Sequence, residues 1–363
     1  MKIYKYEFLL EKILECQAAE IDRLISHKAE MYEVFEIPKK EGTRKICGLK
    51  SDEDGKKFAR MQKLLYKRFL DKIPVSIHAK GFIAGEDYQE FLKPHIGNQY
   101  FMRIDIKDFF GSFSERAIKR GLAEYIVDKK ALGTVYELCT LEKKLPQGAV
   151  TSPVLSNILF KKADQRILKY CQKIDEDYMK ENGNRKNHIC RICYTRYADD
   201  MLFSSDFLDF GENMYFYHMI SKILGDNGFE INRRKTVISK DEIALNGYVI
   251  ENNLHLSRKK LQNLKRILYE FRDENTEQYL LDRNKFSNFP DTMRKLNALG
   301  LSDRNGKKSF SNVQELIYYL SGYRSWIISV LRIGDTSQRQ VRNMQKAVRR
   351  IEMILEELHK LEV

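Results

Sequence analysis

Long apolar runs are missing from this chain of 363 residues, and none approaches the roughly 18 residues that a membrane span needs. The stretch from Met1 to Lys12 carries an apolar patch too short and too charged for a signal peptide, so a cytoplasmic location is expected. Cysteine is scarce, six residues in all, and only Cys190 and Cys193 have the two-residue spacing of half a zinc site. No second Cys or His pair stands at a compatible distance, and His188 sits alone in a polar loop. Cys190 and Cys193 therefore read as small buried side chains on a strand. Repeats and low-complexity tracts are also absent.

Positive charge is in excess. The chain has 64 Lys and Arg against 51 Asp and Glu, a formal charge of +13 and a pI near 9.2, which suits a polyanionic partner whose phosphates release counterions on binding. From Glu251 onward there are 21 Lys and Arg against 14 Asp and Glu, +7 in this third of the chain. Hydrophobic content of 43% with a mean hydropathy of −0.51 fits a globular protein, and the length allows two or three subdomains.

Against this background, Tyr197-Ala-Asp-Asp200 stands out. Two adjacent carboxylates at a tight turn between apolar, strand-like flanks repel each other, and a divalent cation would neutralise them. For an isolated Ala-Asp-Asp, a surface turn would be the better explanation. A second acid changes the balance: Tyr100, Met102 and Ile104 alternate with Phe101, Arg103 and Asp105 as a strand does, and Phe109-Phe110-Gly111 breaks the period. Side by side, two such strands would bring Asp105 and Asp199 around two metal ions, the arrangement that clamps attacking and leaving oxygens in phosphoryl transfer. Asp108 competes for the role of Asp105 but lies beyond the expected strand end. Between the acids, Pro146, Gly148 and Pro153 shape an irregular loop, with Thr151 and Ser152 suited to cap the helix that follows.

In this order and at this spacing, Asp105 with Phe109-Phe110, the Leu145-Pro-Gln-Gly148 to Thr151-Ser-Pro153 loop and Tyr197-Ala-Asp-Asp200 resemble the palm of reverse transcriptases. Phe35–Ile46 resembles the fingers segment of that family, Gly228–Thr236 the motif with a lysine near the pyrophosphate, and Ala244–Ile250 the hairpin that grips the primer. The resemblance implies an α+β right-hand polymerase: fingers over 1–98, palm over 99–250, helical thumb over 251–363. It implies two Mg²⁺ ions on Asp105, Asp199 and Asp200, with Ile106 in the metal and nucleotide set and Asp200 the best suited to an outer role. Arg44 would hold the triphosphate, Lys235 would lie near the leaving group, Phe110 would exclude a 2′-hydroxyl, and Gln147 with Gly148 would position the nucleotide. Arg258, Lys259, Lys260, Lys265 and Arg266 would track template–primer phosphates, and His95 is either an RNA contact or a structural loop residue. RNA template, primer and dNTPs are the implied partners.

Ser76–Gly85 and Pro94–Gly97 look most like retron reverse transcriptases and related bacterial defence enzymes, for which a dedicated non-coding RNA and an effector protein are possible partners. Two departures stand in positions linked to RNA recognition: Phe91-Leu92 precedes the His95 motif, and Leu245-Asn-Gly247 replaces Val-Thr-Gly. Untemplated or protein-primed DNA synthesis and an RNA-binding maturase-like scaffold remain as alternatives. Amphipathic helices are expected over Phe8–Ile25, Phe58–Phe69, Arg116–Val127, Ser152–Tyr170, Glu212–Asn227, Leu256–Phe271, Val313–Ile333 and Gln338–Leu361, with loops over Asp175–Asn187 and Asn284–Asn312. Tyr318, Tyr319, Tyr323 and Trp326 read as core.

Overall fold

The computed structural model describes residues 1–38, 43–182, 191–273, 281–282, 284–301, 309–332 and 338–361. It divides into two compact units, one of residues 1–37 and 44–241, the other of 38–43 with 242–363.

The first unit is built on a four-stranded antiparallel sheet. Apart from it, β1 (Tyr32–Pro38) and β2 (Thr43–Leu49) form a two-stranded sheet. The main sheet comprises β3 (Tyr100–Asp105), β4 (Cys193–Tyr197), β5 (Asp200–Ser205) and β6 (Val237–Lys240), in the order β4-β5-β3-β6. Phe101, Met102 and Ile104 of β3 and Met201, Leu202 and Phe203 of β5 are wholly buried, which fits strands in the middle of a sheet. Their register sets Asp105 opposite Asp200.

Three expected elements differ from those observed. A single N-terminal helix is replaced by Tyr6–Phe8, a π-helical turn Leu9–Leu14 and Ala18–Ser26. The break falls at Glu15, which takes φ 53 and binds Arg60 and Arg68 through its carboxylate. The helix expected to end at Tyr170 runs from Ser152 to Asn182, so Asp175–Asn182 is helix rather than loop, and the rest of that expected loop lies outside the described residues. Buried Ile167 and Cys171 continue its apolar period, and Asp175 ties the far end to the sheet edge by accepting from the Ile192 amide at 2.9 Å. The expected loop Asn284–Asn312 contains a helix, Phe289–Ala298. Unpredicted, Lys129–Cys139 is helical and capped by Asp128, which accepts from the Ala131 amide at 2.8 Å.

The second unit holds a three-stranded antiparallel sheet of β7 (Ile243–Leu245), β8 (Tyr248–Ile250) and β9 (Leu254–Leu256), with helices Arg258–Glu270, Phe289–Ala298, Val313–Leu331 and Gln338–Lys360. Tyr319, Tyr323 and Trp326 meet in sequence on the third of these helices, the first pair tilted and the second edge-on. Tyr318, by contrast, is 69% exposed and does not belong to the core as expected. Cys16, Cys47, Cys139, Cys171 and Cys193 are free thiols, while His188 and Cys190 lie outside the described residues. Among the described residues, no helix is long and apolar enough to cross a membrane.

Candidate active site

The β4–β5 connection is a two-residue turn of Ala198 and Asp199, closed by the Tyr197–Asp200 pair. Ala198 takes φ 56, the positive value that the first position of tight hairpin turns demands and that alanine rarely adopts. The turn is held to the neighbouring strand by the Ile106 amide, which donates to the Asp199 carbonyl at 3.0 Å. Beyond β3, the chain also meets 230–232: the Asn232 amide donates to the Asp105 carbonyl at 2.8 Å and the Lys107 amide to the Glu230 carbonyl at 2.8 Å. A short 3₁₀ turn, Arg233–Lys235, then swings the Lys235 ammonium onto Asp105, with Nζ 2.9 Å from Oδ2 and 3.2 Å from Oδ1. Asp108 lies past the strand end in left-handed backbone at φ 44.

The three acids are in different electrostatic states. Burial pushes the Asp199 carboxyl up to about 6, and the negative charges of Asp200 and Asp105 push the same way. Burial also raises Asp200, opposed by Arg103, whose Nε and Nη2 donate to Oδ1 at 2.9 and 2.6 Å. Among the described residues no three metal-ligating side chains are gathered around one point. The reason is visible in the side-chain partners: Asp200 is drawn to Arg103 and Asp105 to Lys235. The donor set still suits a hard divalent cation, because the oxygens are carboxylate and Asp199 is short of positive charge. Ile106 has its side chain buried and could offer a metal only its backbone oxygen.

The Leu145–Pro153 loop is pinned to β2, the strand that carries exposed Arg44. The Cys47 amide donates to the Gln147 carbonyl at 2.8 Å, and Ser152 closes the loop by donating through Oγ to the Pro146 carbonyl at 2.7 Å. Gly148 has φ 120, and a Cβ there would lie 2.7 Å from the Cys47 carbonyl oxygen. Gly148→Ala should therefore destabilise the protein by about 1–3 kcal/mol in denaturant melts. A wild-type midpoint would show that the loop and β2 part freely.

Phe110 is half-buried, with its ring 5.5 Å from Phe109. Phe109 is buried among Phe113, Phe160 and Phe229. His95 is corrected: it is wholly buried, with Nδ1 2.7 Å from Ser204 Oγ and Nε2 2.7 Å from Thr195 Oγ1. A ring with no exposed surface and two hydroxyl partners serves the loop, not RNA, and burial lowers its pKa to about 3. In the second unit, Arg258, Lys259, Lys265 and Arg266 lie exposed on the Arg258–Glu270 helix. Lys260 departs from them. It is half-buried, donates to the Asn246 carbonyl at 3.1 Å and sits 4.8 Å over the Trp326 ring, so its charge is engaged within the unit.

Sequence reasoning missed Arg103 and a buried group beneath the turn. Arg196, with no exposed surface, binds Asp164 through Nε at 3.1 Å and Nη2 at 3.0 Å, and its Nη1 donates to Asn157 Oδ1 at 3.0 Å and to the Ala198 carbonyl at 3.2 Å. Asp164 also accepts from the Tyr194 hydroxyl at 2.7 Å. A basic residue inside an apolar strand, with Asn157 and Asp164 seven apart on one helix face, was the available signal.

A family profile described as reverse transcriptase (RNA-dependent DNA polymerase) matches residues 37–250. The retron Mx65 reverse transcriptase of Myxococcus xanthus is 26% identical over 267 residues, covering 68% of this chain and 57% of that one. The retron Ec86 reverse transcriptase of Escherichia coli is 25% identical over 247 residues, covering 67% of this chain and 71% of that one. This chain thus spans less than two thirds of the first relative and somewhat more of the second. Among solved structures, telomerase from Candida albicans in complex with a fragment of telomeric RNA aligns with a TM-score of 0.45 at 12% identity, over 97% of this chain and 69% of that one.

Proposed function

Because this chain belongs to the reverse transcriptase (RNA-dependent DNA polymerase) family, we propose that it extends a primer 3′-hydroxyl with deoxynucleotides copied from an RNA template. The observation that carries this reading is the meeting of Asp105 with the Asp199-Asp200 turn across the paired ends of β3 and β5. Asp105 and Asp199 would hold the metal ions, with the Ile106 carbonyl as a further oxygen. Two Mg²⁺ ions bound there would lower the pKa of the primer hydroxyl and stabilise the leaving pyrophosphate. Asp200, tied to Arg103, would act as electrostatic support. Lys235 would leave Asp105 for the leaving group when metal and triphosphate arrive, Arg44 would grip the triphosphate as a forked donor, and Gln147 with Gly148 would seat the nucleotide. Phe110 would close the space where a 2′-hydroxyl would lie.

In the same reading, residues 1–98 serve as fingers, 99–250 as palm and 251–363 as thumb, and the enzyme works in the cytoplasm. Similarity to retron reverse transcriptases supports a dedicated structured RNA as template and, more remotely, a defence role with an effector protein.

The test is incorporation of labelled dNTPs by the full chain on a primed RNA template with Mg²⁺. Template-dependent product supports the reading. Product that ignores template sequence, or that stays bound to the protein after denaturation, would favour untemplated or protein-primed synthesis instead, and no product at all would refute polymerase activity.

For the thumb, changing Arg258, Lys265 and Arg266 to Ala should weaken binding to all sequences alike. It should also flatten the slope of log K against log salt by about 0.7–0.9 for each phosphate that is no longer neutralised. An unchanged slope would return these side chains to a solvated face.

A further inference from the structure

Residues 78–82 run as a strap beside β4 into the catalytic turn. The Arg196 amide donates to the His78 carbonyl at 2.8 Å, the Lys80 amide to the Arg196 carbonyl at 2.7 Å, and the His78 ring nitrogen Nδ1 lies 2.9 Å from the Tyr194 carbonyl oxygen. At Gly81 the strap presses on the turn: a Cβ there would come within 2.9 Å of the Ala198 nitrogen and 3.2 Å of Tyr197 Cγ, so only glycine allows the approach. The Gly81 carbonyl accepts from Asn157 Nδ2 at 2.8 Å, and Asn157 is the side chain that Arg196 joins to the Ala198 carbonyl. Strap and turn therefore share one buried clamp.

That clamp presents Phe82. Its backbone takes φ 62, left-handed space that a bulky residue rarely enters. Core burial does not account for the strain, because Phe82 is 42% exposed. Its ring centroid lies 6.2 Å from Phe110 and 6.2 Å from Tyr197, so it extends the aromatic surface of Phe110 next to the turn that bears Asp199. Strain held by a buried network and spent on an exposed ring beside reacting groups is the pattern of a functional residue.

We propose that Phe82 is a specificity-determining residue, a second aromatic wall of the incoming-nucleotide site that limits where the sugar can sit beside Phe110. This rests on the polymerase reading above. A backbone at φ 62 suits glycine, and relief of that strain offsets the partial ring burial that is lost, so Phe82→Gly should melt no lower than wild type. A residue with a merely structural role would show the reverse. The ratio of dNTP to rNTP incorporation efficiency should nonetheless fall at least about fivefold, mainly through KM, while Phe82→Tyr keeps the wild-type ratio. Should Phe82→Gly melt early, Phe82→Asn tolerates the same backbone and carries the same comparison. A ratio within about twofold of wild type in a folded variant, or an equal loss in Phe82→Tyr, overturns the assignment of Phe82 alone. A wild-type chain that incorporates no dNTP refutes the polymerase reading, and this proposal with it.

Discussion

Asp199→Asn is expected to abolish RNA-templated incorporation while nucleic-acid affinity stays near wild type. The substitution removes one anionic oxygen donor and leaves the exposed cations of the Arg258–Glu270 helix untouched. Loss of a metal ligand should cost several kcal/mol at the barrier, whereas a tenfold drop in rate corresponds to only about 1.4 kcal/mol. Residual incorporation above about a tenth of wild type would remove Asp199 from the metal set.

The same variant has a stability signature of opposite sign. In the folded protein without metal, burial and the charges of Asp200 and Asp105 push the Asp199 carboxyl up to about 6, above the ordinary value near 3.9. A carboxyl shifted upward binds its proton more tightly when folded, so its contribution to stability is complete below about pH 4 and is lost as pH rises through about 6. At pH 7.5 in chelator the ionised Asp199 therefore destabilises the fold, by at most about 3 kcal/mol for a shift of two units. Asp199→Asn should melt higher than wild type under those conditions, and the gap should close toward pH 4. A mutant that melts lower at pH 7.5 would refute this electrostatic account while leaving the kinetic prediction standing.

Phe110→Ala should open the site to ribonucleotides with far less loss of dNTP use, since added space penalises the smaller substrate little. Phe110 is half-buried, at the edge of the Phe109 ring cluster and beside the exposed Phe82, so the fold should survive. Its neighbour behaves differently. Phe109 packs against Phe113, Phe160 and Phe229 at centroid distances of 5.3, 5.7 and 6.1 Å, and Phe109→Ala should cost roughly 3–5 kcal/mol of stability. The measurement is the dNTP to rNTP efficiency ratio on one template for both variants, with a thermal melt beside it. A Phe110→Ala ratio equal to wild type, or a wild type that already prefers ribonucleotides, would remove the steric role of Phe110.

Features governed by local rules were legible in the chain itself. Alternation over Tyr100–Asp105 gave a strand because side chains of period two must face opposite sides of a sheet. The Asp199 turn, the break after Asp105 and the loop around Gly148 could be read because turns and prolines act through their own backbone angles. Most helices followed from apolar spacing, and the end at Tyr170 was missed because a polar surface on a long helix looks like a loop in one dimension.

Choice of partner belonged to tertiary structure alone. Asp105 and Asp200 are opposite each other only through strand register, and Lys235 reaches Asp105 only because residues 230–232 pair beside it. In sequence, His95 could be read as an RNA contact or as a loop residue, and Lys260 sat in a basic cluster that suggested phosphate. Thr195 with Ser204 in one case, and Asn246 with Trp326 in the other, draw them inward from remote positions. The spacing of Asn157 and Asp164 marks one helix face but does not name Arg196 as their partner, and nothing in the local pattern around Phe82 names Phe110 as its neighbour. Hydrogen bonds, ion pairs and ring contacts act over a few ångströms, and only the folded chain decides which distant residues come within that range.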